Sequence, residues 1–249
     1  MLTQLASLHQ TGSCTYELNS EMIKNDHGLK AMSKHLESVL HDQTLMTAWL
    51  AENRVIPTVA EFQPGPGIQK LNLRFDLCKL REAVEEARQH VVEQGDGFSA
   101  IPITRRPGDR TVSDTDLIGR YYLRPDETYE EVARDEILDE FSFSEIFPQF
   151  KDTYFETVHT ELTKRFPTGR MRVLLKAPLT CNSWHRDPEP RVHIPIITNP
   201  GSLFVVNHHV THLPADGSVY FTDTRGYHTA LNGGEQPRVH LVAALPQKI

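Results

Sequence analysis

The chain has 249 residues, 39% of them hydrophobic and 24% charged, which suits one large domain or a domain with an extension and is too apolar for a disordered chain. No run nears the ~18 uninterrupted apolar residues that a membrane helix needs, and MLTQLASLHQTGSC lacks the basic and long apolar stretches of a secretory signal. A net charge of −7, with no basic cluster beyond Arg105-Arg106, argues against nucleic acid or a membrane as partner. The three cysteines, Cys14, Cys78 and Cys181, are far apart and form no CxxC. They read as reduced thiols, and the expected compartment is the cytoplasm.

Up to about residue 165 the pattern is mainly helical. Leu29, Met32, Leu36 and Val39/Leu40 keep a three-to-four spacing, as do Leu77, Leu80, Val84, Ala87 and Val91 behind a candidate N-cap, Asp76. Gln63–Gly67 is a loop, and Gly97–Pro107 predicts a strand ending in a turn. Two further amphipathic helices are predicted, one through Tyr129, Val132/Ala133, Ile137 and Phe141, the other through Phe150, Tyr154, Val158 and Leu162.

From Arg170 the period changes from 3.6 to 2. MRVLLKAP, RVHIPIIT, SLFVV, SVYFTDT and PRVHLVAAL are short β-branched or aromatic runs between TNPGS, PADGS and NGGEQP turns. Such spacing predicts a jelly-roll-like barrel or sandwich. The expected organisation is a mainly helical region with some strands, residues 1–165, packed on a catalytic core of residues 166–249. Pro190-Arg-Val-His-Ile is echoed by Pro237-Arg-Val-His-Leu, which two similar strands of one sheet would explain.

Eight of the 13 histidines fall after residue 150. In WHRDPEPRVHIP, His185 and Asp187 are two apart, so on an extended segment they project to one side. His228, after a strand and a turn, is the best third member. Two imidazoles and a carboxylate with open positions left over are the ligand set of non-haem Fe(II) oxygenases. An isolated HxD is more often a hydrogen-bonded surface pair. Arg238 raises the weight of the metal reading: it begins the last predicted strand, ten residues after His228, and its planar fork suits a carboxylate. Alternation puts Arg191 and His193 on one strand face and Val192, Ile194 and Ile196 on the other. His208 and His212 are expected to be exposed hairpin histidines, Trp184 a core residue, and Asp223 either an orienting group or a solvated turn aspartate. Glu189 is an alternative to Asp187, constrained by Pro188 and Pro190.

The ordered set His185-x-Asp187, Arg191-x-His193, Asp223, His228, Asn232 and Arg238 resembles the aspartyl/asparaginyl β-hydroxylase family of Fe(II)/2-oxoglutarate dioxygenases, which also includes proline hydroxylases. The resemblance runs from about Arg170 to Pro246. It implies a mainly β fold with helices, built on a double-stranded β-helix (jelly roll, cupin-like) with helical N-terminal elements. It also implies His185, Asp187 and His228 on iron, and Arg238 on the distal carboxylate of 2-oxoglutarate, with Arg191 and His193 lining the same cosubstrate site. The implied reaction is hydroxylation by dioxygen with release of succinate and CO2; the expected substrate is a small molecule, an amino acid or derivative, since no protein-binding repeat or basic surface is evident. The rival readings are a cupin-type zinc or iron isomerase or hydrolase without cosubstrate, and a non-catalytic jelly-roll binding module. Neither needs a buried arginine beside the metal.

Overall fold

The computed structural model describes residues 34–41, 43–44 and 67–246, apart from 96, 114–115, 118–122, 126–127, 129 and 134–137. The chain divides into two compact units, Met1–Ile56 and Pro57–Ile249. In the first, residues 34–41 are helical, as the spacing of Leu36, Val39 and Leu40 predicts, and these three side chains are exposed. Leu29 and Met32 lie outside the described residues.

The second unit carries, in chain order, β1 (Ile68–Arg74), α1 (Leu77–Glu86), β2 (Val92–Gly95), β3 (Phe98–Pro102), β4 (Thr104–Arg105), β5 (Leu123–Pro125), β6 (Glu131–Ala133), β7 (Glu145–Ile146) and α2 (Tyr154–Thr163). There follow β8 (Met171–Lys176), β9 (Thr180–Cys181), β10 (Arg191–Ile197), β11 (Ser202–Val206), β12 (His209–Thr211), β13 (Ser218–Thr222), β14 (His228–Asn232) and β15 (Arg238–Ala244). A seven-stranded sheet has the order β1-β13-β10-β15-β8-β3-β2, and a four-stranded sheet the order β12-β11-β14-β9. All their pairings are antiparallel. From β8 onward the chain passes repeatedly between the two sheets, which is the winding of a double-stranded β-helix. The fold is therefore mainly β, a jelly roll with a few helices. Strands β1, β2 and β3 join its larger sheet from before residue 166, so the barrel's strands begin well upstream of the predicted core.

The two faces of the large sheet differ sharply. Val192, Ile194 and Ile196 of β10, Val239, Leu241 and Ala243 of β15, and Met171 and Val173 of β8 pack with the buried sides of the helices. Those sides are Leu80, Ala83 and Val84 of α1 and Phe155, Val158 and Leu162 of α2. The alternate residues of the same strands turn toward the small sheet, where Phe204, Val206 and Ala230 meet Ile68 and Tyr220. Asp76 caps α1 as predicted, accepting from the amides of Cys78 at 2.9 Å and Lys79 at 3.2 Å. Helix α2 starts later than the Phe150 spacing suggests. Pro148–Phe150 form a 3-10 turn and Thr153 is the cap.

The helix predicted through Tyr129–Phe141 is not formed as such. Strand β6 pairs with β5, and Glu140–Ser142 form a 3-10 turn capped by Asp139. A tertiary ion pair overrides the local periodicity: Arg170 donates from Nε to Glu140 Oε1 at 2.7 Å, both residues are buried, and Phe141 is left facing outward. Tyr129 and Ile137 lie outside the described residues.

Two substitutions grade these contributions. Phe155→Ala, at a fully buried position of α2, should cost about 3–5 kcal/mol, and Asp76→Ala about 1 kcal/mol. Urea unfolding would contradict the packing if the two costs were equal.

Candidate metal centre

His185 sits in the approach to β10, where it bridges to His228, the first residue of β14. Paired backbone bonds fix the register: the His185 amide donates to the His228 carbonyl at 3.2 Å, and the His228 amide returns the bond at 3.0 Å. Asp187 follows two residues on, its amide donating to Thr224 O at 2.8 Å. One ligand atom from each of His185, Asp187 and His228 lies within 4.8 Å of the others, and among the described residues this is the one such group.

Tautomers follow from the carbonyls nearby. His185 Nδ1 donates to Ser183 O at 2.7 Å, and His228 Nδ1 donates to Gly226 O at 3.0 Å. A carbonyl only accepts, so each ring carries its proton on Nδ1 and presents a bare Nε2 lone pair. Those lone pairs face Asp187, at 3.8 Å from His185 Nε2 to Oδ1 and 3.3 Å from His228 Nε2 to Oδ2. Oδ2 is buried without a hydrogen-bond partner. Three electron-rich atoms converging on one point without a shared proton suit a divalent cation.

Charge states agree. Burial holds the His185 imidazole down to about 4, helped by His228, so it is neutral and able to ligate at neutral pH. Burial opposes ionisation of Asp187, yet the Arg191 guanidinium and the two imidazoles outweigh it, and the carboxyl titrates well below the usual range. Arg191 Nη2 contacts Asp187 Oδ1 at 2.9 Å and Glu189 Oε1 at 3.4 Å. It thereby ties down one Asp187 oxygen and leaves the other free. Glu189 is spent on Arg191, and burial pushes its carboxyl up to about 7, so Asp187 is the better ligand.

A small pocket of about 40 Å³ borders His185 and His228, lined among others by Phe98, Lys176, His193, Phe204 and Arg238. Arg238 is only 5% exposed. Its Nη2 donates to His240 Nδ1 at 3.0 Å, and among the described residues it pairs with no carboxylate. His193 Nδ1 lies 3.4 Å from His240 Nδ1, and its Nε2 is buried without a partner. The two echoed segments turn out to be neighbours, β10 and β15 running antiparallel with His193 opposite Val242.

Other predicted roles resolve differently. His208 is exposed, but His212 is 4% exposed and its Nδ1 donates to Ser202 O at 2.9 Å. It lies one residue beyond β12, where the chain turns inward. Trp184 is 45% exposed and no core residue, because the alternation that buries Asp187 turns it outward. Asp223 is bound by Arg225 through Nε at 2.7 Å and Nη2 at 2.9 Å, fixing the β13–β14 turn. Asn232 is fully buried and donates to the carbonyls of Lys176, Ala177 and Gln236. Lys176 and His240 escaped the sequence reading. Their signal is an even spacing from an arginine on the same strand: Lys176 is four residues after Arg172 in MRVLLKAP and His240 two after Arg238 in PRVHLVAAL.

No family model matches the sequence, and no curated protein matches it. Among solved structures, the chain is similar to an oxidoreductase of the 2OG-Fe(II) oxygenase family from Burkholderia pseudomallei, with 17% identity, TM-score 0.42, and coverage of 72% of this chain and 83% of that one. It is also similar to a collagen prolyl hydroxylase of Paramecium Bursaria Chlorella virus-1, at 9% identity and TM-score 0.42, over 72% and 96% of the two chains. A Pseudomonas putida prolyl-4-hydroxylase aligns at 11% identity and TM-score 0.41, over 73% and 93%. No helix among the described residues is long and apolar enough to cross a membrane.

Replacing His185, Asp187 or His228 with Ala should weaken Fe(II) or Co(II) binding by more than the ~10–100-fold typical of an outer partner, while Arg191→Met falls within that range. His208→Ala should change nothing. A titration in which His208 matters and Asp187 does not would contradict the assignment.

The buried imidazoles also set a pH dependence. His185, His193 and His240 are all held below their ordinary value of 6.5, chiefly by burial. The unfolded chain protonates them first, so stability is present above about pH 6.5 and is lost as pH falls, by at most ~1.4 kcal/mol per pH unit per imidazole. Urea midpoints of the metal-free protein should drop between pH 7.5 and 5.5. A flat profile would place these rings in water.

Proposed function

We propose that the protein is an Fe(II)- and 2-oxoglutarate-dependent dioxygenase that hydroxylates a small molecule, an amino acid or derivative. One observation carries the reading: His185 and His228 of the ligand triad line the same pocket as a buried arginine, Arg238, that pairs with no carboxylate among the described residues. An isomerase, a hydrolase or a passive binding module has no use for that arginine.

His185, Asp187 and His228 would hold the metal, leaving open positions beside them. Bound iron(II) would supply the dioxygen chemistry, coupling decarboxylation of 2-oxoglutarate to succinate and CO2 with insertion of the other oxygen atom into a substrate C–H bond. The remaining work falls to side chains of this chain. Arg191 keeps the Asp187 carboxylate ionised and oriented. Arg238 would take the distal carboxylate of the cosubstrate, and burial, which draws its pKa down only to about 10, leaves it charged at neutral pH. Phe98, Leu174, Phe204 and Ala230 wall the cavity with apolar surface and keep water from competing. The order of ligands, the Arg191-x-His193 pair and Arg238 support placing the chain with the aspartyl/asparaginyl β-hydroxylases within this class.

Anaerobic Fe(II) with 2-oxoglutarate should develop a weak visible charge-transfer band. In Arg238→Ala the 2-oxoglutarate needed to reach half of it should rise roughly ten- to hundredfold, since a charge-assisted partner is worth about 1.5–3 kcal/mol, while iron stays bound. No band in the wild type would overturn the reading. A band with an unchanged requirement in Arg238→Ala would move the carboxylate elsewhere, first to Arg191.

A further inference from the structure

Five buried cationic side chains belong to β8, β10, β15 and the residue before β8, and most of them are answered from within the protein. Arg170 is paired with Glu140. Arg172 donates to Leu117 O, and Arg191 holds Asp187 and Glu189. Arg172 thus has a carbonyl but no carboxylate among the described residues, and two more cations have no anion either. Arg238 has only a neutral imidazole nitrogen, and Lys176, 3% exposed, forms no side-chain hydrogen bond or ion pair among the described residues.

These two are neighbours. Arg238 stands directly opposite Lys176 in the β15–β8 ladder, and directly opposed residues send their side chains to the same face with Cβ atoms ~4.5–5.5 Å apart. Both line the pocket that His185 and His228 also line. Phe98, opposite Lys176 on its other side, lines it too. Like charges placed opposite each other in a sheet are destabilising, and burial without an anion adds to that cost.

We propose that Lys176 is the second cation of the cosubstrate site, so that Lys176 and Arg238 together bind the distal carboxylate of the dicarboxylate. The proposal rests on the dioxygenase reading and deepens it: the cavity then selects a 2-oxo acid with a second, distal carboxylate over one ending in a methyl group. Burial and the adjoining Arg238 draw the Lys176 ammonium down to about 8, which is the response of a cation still waiting for its anion. Lys176 also borders an outer cavity of about 330 Å³ beside Gly97, Ser99 and Pro237. An anion held there instead would be indifferent to the cosubstrate's distal end.

Calorimetry on the anaerobic Fe(II)-loaded protein separates the cases, using 2-oxoglutarate and 2-oxopentanoate, which carries a methyl group where the distal carboxylate would be. Lys176→Met should raise the Kd for 2-oxoglutarate roughly ten- to hundredfold and leave that for 2-oxopentanoate within about twofold. Lys176→Arg should recover most of the loss. Lys176→Gln, which keeps a polar group at the cavity wall, should match Lys176→Met and serves where the methionine variant folds poorly. An unchanged 2-oxoglutarate affinity, or equal weakening for both acids, would overturn the role of Lys176. A wild type that binds the two acids equally would overturn the dioxygenase reading itself, and the clamp with it.

Discussion

A sheet has two faces and a two-residue period, and the larger sheet of this barrel gives each face a different task. One face is apolar and lies under α1 and α2, where Val173, Ile194 and Leu241 are almost completely buried. The other, on the same strands, carries Arg172, Lys176, Arg191, His193, Arg238 and His240, all buried as well. Charge is costly to bury unless it is answered. The helical side supplies the hydrophobic stabilisation that makes a polar inner face tolerable. A register slip of one residue in β10 or β15 would exchange the two sets and destroy core and cavity together.

Within that inner face, opposite charges are sorted along the strands. Asp187 and Glu189 stand at the entrance to β10 and meet Arg191 there, at the metal end. At the other end, where β15 begins beside the last residue of β8, there are two cations and no carboxylate among the described residues. A ligand that is anionic at its far end and chelating at its near end matches this asymmetry. The ion pair between Asp187 and Arg191 also orders the candidate ligand set: the carboxylate is already ionised and already held by one oxygen, so little reorganisation would be needed to take a cation.

Much of this was legible because period-two alternation is a local property. Arg191 and His193 on one face and Val192, Ile194 and Ile196 on the other follow from six consecutive letters. The pairing of His185 with His228 is less local, and its clue was the recurrence of histidine after a strand and a turn. What the letters did not carry is tertiary. Glu140 is drawn to Arg170 and turns a predicted helix into a 3-10 turn behind a short strand. His212 is buried because it lies just outside a regular strand, where alternation stops being a guide. Lys176 sits at the end of a largely apolar run, and only the ladder sets Arg238 against it.

The echoed Arg-Val-His segments show how the sheet aims a flexible side chain. In β15 the guanidinium of Arg238 leans along its own strand to His240, two residues on. A guanidinium never gives up its protons at working pH, so His240 Nδ1 has to accept and its proton must sit on Nε2. The same Nδ1 lies 3.4 Å from His193 Nδ1, a ring of the other echoed segment. Protonation of His240 would put a donor where Arg238 needs an acceptor and set two cations against each other. Burial and the charge of Arg238 itself both hold the His240 imidazole neutral. Arg238 therefore maintains the tautomer that orients it, and His240 stands between Arg238 and His193 without carrying charge.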